Sequence, residues 1–251
     1  MANAIYESKQ SLGTFAGSVL AQTSDGIGGY KKVFVNLSGP APAPQYPLYG
    51  GILVNPFKGH GKIYAGDLVE YTTDGKCKLL KTYEIGKATK ESTDTDIYIS
   101  SGANANGSVF RHIPFVGDFL MKAPNTLTGK GTAVTVTAVE KTFDAKGKQD
   151  GWKVTISAAL GSLAKGDVLV EASAGTGSVQ AMVTNPNCYV EVDYDCPATP
   201  ATGDDDFEGA RYLFTPNIMM GNRFAYIALM SPLPAAVKSI NTSRIEGWFK
   251  L

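Results

Sequence analysis

Charge of either sign is in no excess in this chain: 23 lysine and arginine residues balance 23 aspartate and glutamate residues over 251 positions. An electrostatic grip on nucleic acid or on an anionic membrane needs a basic face, and the interspersed charges offer none. Long apolar runs are missing too, and nothing approaches the roughly 20 residues of a membrane-spanning helix. Met1-Ala-Asn-Ala-Ile-Tyr6 has no basic segment followed by an apolar stretch, so no secretory signal is read there. Cysteine is scarce, with Cys77, Cys188 and Cys196 alone. If residues 188–196 form one strand, the outer two stand about 26 Å apart, far beyond the roughly 4.4–6.8 Å of a disulfide. A bridge requires a reversal at residues 193–195, so free thiols in a reducing cytoplasm are the expectation.

Histidine is rarer still. His60, in Gly59-His60-Gly61, and His112, in Arg111-His112-Ile113, have no neighbours at metal spacing and read as a loop and a sheet-edge histidine. The chain has neither a Gly-x-Ser-x-Gly elbow nor a phosphate-cradling loop closing on Lys-Ser or Lys-Thr. Lys58-Gly-His-Gly-Lys62 is glycine-rich but lacks the helix that aims amides at a phosphate. Hard oxygen ligands at alternate positions suit Ca²⁺, and Asp193, Asp195, Asp204, Asp205, Asp206 and Glu208 form the one such group. They lack the central glycine and terminal glutamate of the calcium loop, and beside proline and glycine they read as a solvated loop rather than an ion site. No catalytic, cofactor-binding or metal-ligating residue is assigned, and no enzymatic activity is expected.

What the chain does have is turns and β-formers. Three times a Gly-Asp pair opens an apolar run: Gly66-Asp67-Leu68-Val69, Gly117-Asp118-Phe119-Leu120 and Gly166-Asp167-Val168-Leu169-Val170. Glycine tolerates positive φ and an aspartate side chain bonds nearby backbone N–H groups, so each pair reads as a tight corner releasing a strand. Helical periodicity is scarce. The expected fold is all-β, a barrel or sandwich core with an extended N-terminal arm and a docked C-terminal segment.

Residues 1–50 read as the arm or linker. They run from Thr14-Phe-Ala-Gly-Ser-Val-Leu20 through Lys32-Val-Phe-Val-Asn36 to Pro40-Ala-Pro-Ala-Pro44, whose alternate prolines cannot donate to a sheet ladder. Residues 51–196 read as the core, with two small subdomains, 51–108 and 109–196, as an option. In it, Thr73-Asp74-Gly75 is a hairpin turn between strands at 63–71 and 77–85. Residues 89–108 read as a surface excursion. The clearest pair is Ala133-Val-Thr-Val-Thr-Ala-Val139 with Trp152-Lys-Val-Thr-Ile-Ser157, each alternating apolar and polar, joined by residues 144–151. A further strand follows at 179–183. Residues 197–209 read as an exposed loop. Residues 210–251 form a docking segment in which Trp248, Phe249 and Leu251 are expected to be buried.

Phe57-Lys-Gly-His-Gly-Lys-Ile-Tyr-Ala-Gly-Asp-Leu-Val-Glu-Tyr71, continuing through Asp74-Gly75 to Leu80-Lys-Thr-Tyr-Glu-Ile85, resembles head-fibre and capsid-auxiliary proteins of tailed bacteriophages, the crAss-like phages in particular. Arg244-Ile-Glu-Gly-Trp-Phe249 is similar to the C-terminal signature of the same group. The resemblance covers about a fifth of the chain. It implies a non-enzymatic virion protein, assembled in the bacterial host cytoplasm and displayed in many copies on the capsid exterior. Its partners are the major capsid protein and further copies of itself, as a dimer or trimer with sheet edges covered by neighbours. The chain carries no long heptad or collagen-like repeat, so a fibrous shaft is not encoded. The competing class is a β-sandwich module that recognises saccharide or another host-surface ligand.

Overall fold

The computed structural model describes residues 52–59, 61–72, 74–102, 111–190, 193–196 and 230–240, with short strands at 22–24, 30–32, 218–220, 224–226 and 248–250. The strands run β1 (Gln22–Ser24), β2 (Tyr30–Lys32), β3 (Ile52–Leu53), β4 (Gly61–Ile63), β5 (Leu68–Tyr71) and β6 (Lys76–Leu79). Next come β7 (Thr82–Lys87), β8 (Asp96–Ser100), β9 (Phe119–Lys122), β10 (Lys130–Phe143), β11 (Gln149–Ile156), β12 (Val168–Glu171) and β13 (Gly177–Gln180). The chain continues through β14 (Cys188–Val190), β15 (Tyr194–Cys196), β16 (Ile218–Met220) and β17 (Phe224–Tyr226) to a short helix, α1 (Ala235–Ile240), and β18 (Trp248–Lys250). The protein is all-β, as its turn-and-strand pattern requires.

Six strands close into a ring, β7–β8–β11–β10–β9–β12 and back to β7, with every neighbour antiparallel. Alternation along each strand fills the barrel. Tyr83 and Ile85, Ile97 and Ile99, Leu120, Val134 and Val136, Trp152, Val154 and Ile156, and Leu169 form one buried cluster. Residues one position away point outward: Met121, Ala133 and Val170 join a second cluster with Leu68, Tyr189, Leu233 and Val237. That second cluster glues the barrel's outer face to another sheet, ordered β16–β14–β5–β6–β3, and to α1. The far face of the second sheet carries Val69, Cys77, Leu79, Cys188 and Val190, packed with Leu53, Phe57 and Ile63. Each large apolar side chain so enclosed contributes about 1.5–3 kcal/mol.

All three Gly-Asp pairs are corners of one design. Gly66, Gly117 and Gly166 have φ of 89°, 87° and 91°, the left-handed region that only glycine enters without strain. The N–H groups of Tyr64, Phe115 and Ala164 donate to Asp67, Asp118 and Asp167 Oδ2 at 2.8, 2.8 and 2.9 Å. Each corner is then stitched to one residue of a neighbouring strand. Gly66, Gly117 and Gly166 donate to the carbonyls of Val190, Val136 and Ile85, and those residues return their N–H groups to the three aspartate carbonyls at 2.8 Å.

Several expectations change in detail. The hairpin at residue 75 is present, with Gly75 at φ 82° and Val69 opposite Leu79. Its return strand breaks at Leu80-Lys81, however, where the chain leaves the second sheet as β6 and enters the barrel as β7. The chain therefore does not divide at residue 108: β7 and β8 complete the barrel with β9 to β12. The excursion at 89–108 contains β8, because Ile97 and Ile99 supply barrel core. β10 and β11 pair as expected but run longer, leaving a turn in which Lys146 and Lys148 N–H groups donate to Asp144 Oδ1.

Most of their length is paired within the chain. β11 lies between β8 and β10, and β9 with the second corner flanks β10 as far as Val136. Beyond Val136, β10 continues beside β11 with two register shifts and the charged Glu140 and Lys141, devices that blunt an edge. Most of residues 1–50, His60 and the loop 197–209 lie outside the described residues. So do the side chains of Trp248 and Phe249, although β18 pairs with β17.

Candidate functional site

The polar chemistry of the described residues is concentrated where the barrel meets the second sheet. Lys81, at the break between β6 and β7, is only 1% exposed. Its ammonium donates to Glu171 Oε1 at 2.9 Å and to the Pro56 carbonyl at 3.0 Å, and lies 4.9 Å from the centre of the Phe57 ring. Asn55 Nδ2 donates to Glu171 Oε2 at 2.6 Å and to the Leu79 carbonyl at 2.9 Å, while Asn55 Oδ1 accepts the Leu79 N–H at 2.8 Å. Residues 55–58 thus form a plug at one end of the barrel, tied to it by the buried Lys81 ammonium, by Asn55 and by Lys58. Burying an ammonium is costly unless it is paired and hydrogen-bonded, and here it is both.

Asp118, in the second corner, enters the same end. Its Oδ2 takes the Phe115 N–H, but its Oδ1 is buried without a hydrogen-bond partner, as is the Tyr83 hydroxyl. Burial pushes the Asp118 carboxyl up to about 6; Lys81 and Lys58 pull it down and Glu171 pushes it further. Burial likewise raises the Tyr83 phenol well above its ordinary value, with the neighbouring Asp118 and Glu171 charges adding to it.

The first corner anchors a second buried group. His112 Nδ1 accepts the Thr82 N–H at 3.1 Å, which assigns the ring hydrogen to Nε2, 2.8 Å from Asp67 Oδ2. Ser231 donates its hydroxyl to Asp67 Oδ1. Serine, histidine and aspartate meet here, yet the wiring is not that of an activated nucleophile. The serine proton is given to the carboxylate rather than to imidazole, and the side chains of His112 and Asp67 are fully enclosed. The group clamps four remote pieces of chain: the first corner, the start of β7, the segment that carries His112 and the segment before α1. His112 is therefore a core residue, not a sheet-edge one, and Phe57 and Tyr64 pack around its ring.

The glycine-rich run 58–62 has a packing reason. A Cβ on Gly59 would sit 2.3 Å from Phe115 Cε1, and one on Gly61 would sit 2.3 Å from Phe57 Cγ. Lys58 bonds the Gly117 carbonyl and lies 4.5 Å from the centre of the Phe119 ring. Lys62 pairs with Asp193 at 3.3 Å. Asp193 Oδ1 also accepts the Ala65 N–H at 2.9 Å, and burial pushes its carboxyl up to about 6. Of the acidic group, Asp193 is thus tied to β4 and to the turn that follows it, and Asp195 lies on β15 opposite Lys62; Asp204, Asp205, Asp206 and Glu208 lie outside the described residues. Cys77 and Cys188 are free and buried, and burial pushes both thiols up to about 12.

The described residues line surface grooves, of which two bear polar walls. One, of about 460 Å³, is lined by Glu84, Lys87, Ser100, Thr142, Asp150 and Lys165. It is crossed by the Lys87–Asp150 ion pair at 3.2 Å, and Glu84 is held from the side by Arg111 at 3.2 Å. The other, of about 360 Å³, lies between the third corner and α1, with Lys122 and Lys238 in its wall.

Sequence reasoning found the corners but missed Lys81 and its plug. The available signal was a charged residue interrupting the apolar return strand after Leu79-Leu80. No protein-family model, curated protein or solved structure matches this chain.

Proposed function

We propose that this chain is a non-enzymatic structural protein of a tailed-phage virion, carried on the capsid exterior as a head fibre or decoration protein. The observation that carries the reading is the resemblance of residues 57–85 and 244–249 to that group. Residues 57–85 supply the end of the plug, the first corner, β4 to β6 and most of β7, including Lys81 and Asp67. The resembling stretch is thus framework that joins barrel to sheet, which is the part a family of structural proteins has reason to share.

The partners are the major capsid protein and further copies of this chain, in dimers or trimers. In this reading attachment uses the arm at residues 1–50 and the C-terminal segment, which accords with most of β10 and β11 being paired within the chain. Free, buried Cys77 and Cys188 accord with assembly in a host cytoplasm.

The test is co-sedimentation of the purified chain with phage heads assembled without it, alongside a chain lacking residues 1–48. The full chain is expected to sediment at a fixed number of copies per head, and the truncated chain to stay folded in the supernatant. Failure of the full chain to sediment, with retention on host glycan instead, moves the reading to a saccharide-binding module. The polar groove around Glu84, Ser100 and Asp150 favours that second reading.

A further inference from the structure

Asn55, Lys81 and Glu171 come from three separate parts of the chain and meet on one carboxylate. Glu171 Oε1 is 2.9 Å from the Lys81 ammonium, and Glu171 Oε2 is 2.6 Å from Asn55 Nδ2. Lys81 Nζ also reaches the carbonyl of Pro56, the residue after Asn55, at 3.0 Å. We propose that the folded chain joins Lys81 Nζ to Asn55 Cγ in an intramolecular isopeptide bond, with Glu171 carrying the protons and ammonia leaving.

Each group stands where the step needs it. A lysine attacks a carbonyl carbon with a free lone pair, and Glu171 Oε1 is placed to take the proton that occupies it. The partners of Asn55 fix which way its amide points: Oδ1 accepts the Leu79 N–H at 2.8 Å, and Nδ2 faces the Leu79 carbonyl and Glu171. The Leu79 N–H is therefore aimed at the oxygen on which negative charge develops as Nζ adds to Cγ. Glu171 then hands a proton to Nδ2, the carbonyl re-forms and the Cγ–Nδ2 bond breaks. One C–N bond is made and one is lost, with nothing oxidised or reduced. The lysine ammonium gives up two protons; one leaves on ammonia, the second follows it into water as ammonium, and Glu171 ends as a carboxylate.

The enclosure favours bond formation over hydrolysis. Lys81 is 1% exposed, Asn55 is 7% exposed, and Phe57, whose ring lies 4.9 Å from Nζ, is fully buried. Competing water is kept from the carbon, and the fold rather than chance encounter holds the reacting groups together. The Glu171 side chain is 12% exposed, which gives ammonia a way out. Sheet register supplies the alignment: β3 and β6 are parallel with Leu53 opposite Cys77, so Asn55 comes beside Leu79 and Lys81 lies two residues on. Until the bond forms, Lys81 and Glu171 remain an ion pair. Once formed, it fastens the chain immediately beyond β3, a two-residue strand at the end of its sheet.

The experiment is mass spectrometry of the purified full chain, intact and after trypsin under denaturing conditions. The expected intact mass is one ammonia, about 17 Da, below that of the unlinked chain. Trypsin should fail at Lys81 and yield a branched peptide in which residues 33–58 are joined to residues 79–87 through Asn55 and Lys81. Lys81→Arg should keep its unlinked mass, and so should a Glu171→Gln chain that circular dichroism shows to be folded. Peptides 33–58 and 79–81 recovered separately from the folded wild-type chain overturn the proposal, whether or not either variant folds. So does an ammonia lost only at Asn106-Gly107, where ring closure on the next residue releases the same mass. A linked peptide from the folded Glu171→Gln chain overturns the part given to Glu171.

Discussion

The Lys81 ammonium stands 2.9 Å from the Glu171 carboxylate across ninety residues of chain, and only 1% of the lysine side chain is exposed. Removing one member of such a pair strands the other. Lys81→Met should therefore cost about 3–5 kcal/mol of stability. Adding Glu171→Gln to it should restore much of that loss, since the stranded charge disappears. Denaturant midpoints at constant slope measure both effects; losses that simply add would show that the two residues do not depend on each other.

The corners offer a measurement of backbone strain without steric confusion. Gly166 has φ 91° and open space where a Cβ would stand, so Gly166→Ala should cost only the left-handed penalty, about 1–2 kcal/mol. Gly117→Ala should match it closely, because the nearest obstacle is the end of the flexible Lys58 side chain, 3.2 Å away. A fall in melting temperature of about 2–8 °C for each is the expected reading. A much larger loss at Gly117 would mean that Lys58 cannot move aside.

Stability should be greatest in mild acid. Asp118 and Asp193 both have carboxyls raised to about 6 by burial, so each contributes more as pH falls from 7 toward 5, on the order of 1 kcal/mol apiece. The opposing carboxyls are held low: Asp74 by Thr72, Asp96 by Lys153 and Asp150 by Thr142. Their contributions are lost only as pH falls below the ordinary carboxylate range. Urea midpoints measured across pH should peak near pH 5, and a decline from neutrality downward would contradict the burial of both aspartates.

The two buried thiols should be inert while the chain is folded. Cys77 and Cys188 lie fully enclosed with thiols pushed up to about 12, so a Cys196→Ser chain should take up almost no thiol reagent at about pH 8. Under denaturant two equivalents should react. Rapid labelling of the folded chain would reveal that the second sheet opens.

How much of this was legible beforehand depends on how local the cause was. The Gly-Asp corners were readable because two local features decide them: a glycine at positive φ and a carboxylate three residues from its donor. The β10–β11 hairpin was readable for a similar reason, apolar and polar residues alternating along Val134–Thr137 and Trp152–Ser157. The break at Leu80-Lys81 was not, because Lys81 is positioned by Pro56 and Glu171, neither of which is near it in sequence. His112 gave no sign of burial, since both of its partners, Thr82 and Asp67, arrive from other parts of the fold. Closure of the ring between β7 and β12 was equally hidden, because a strand's alternation shows which face is buried and not which strand lies beside it.

The anchors of the three corners also set an order in time. Val136 and Ile85 belong to the barrel, so the second and third corners are complete once its strands have been made. The first corner is made earliest yet takes its anchor from Val190, beyond the barrel's last strand. On a ribosome the second sheet is thus begun before the barrel and finished after it, with β5 lacking β14 while six later strands find one another. A chain stopped after Glu171 would hold every strand of the ring and a raw edge along β5, open to mispairing with whatever strand comes near.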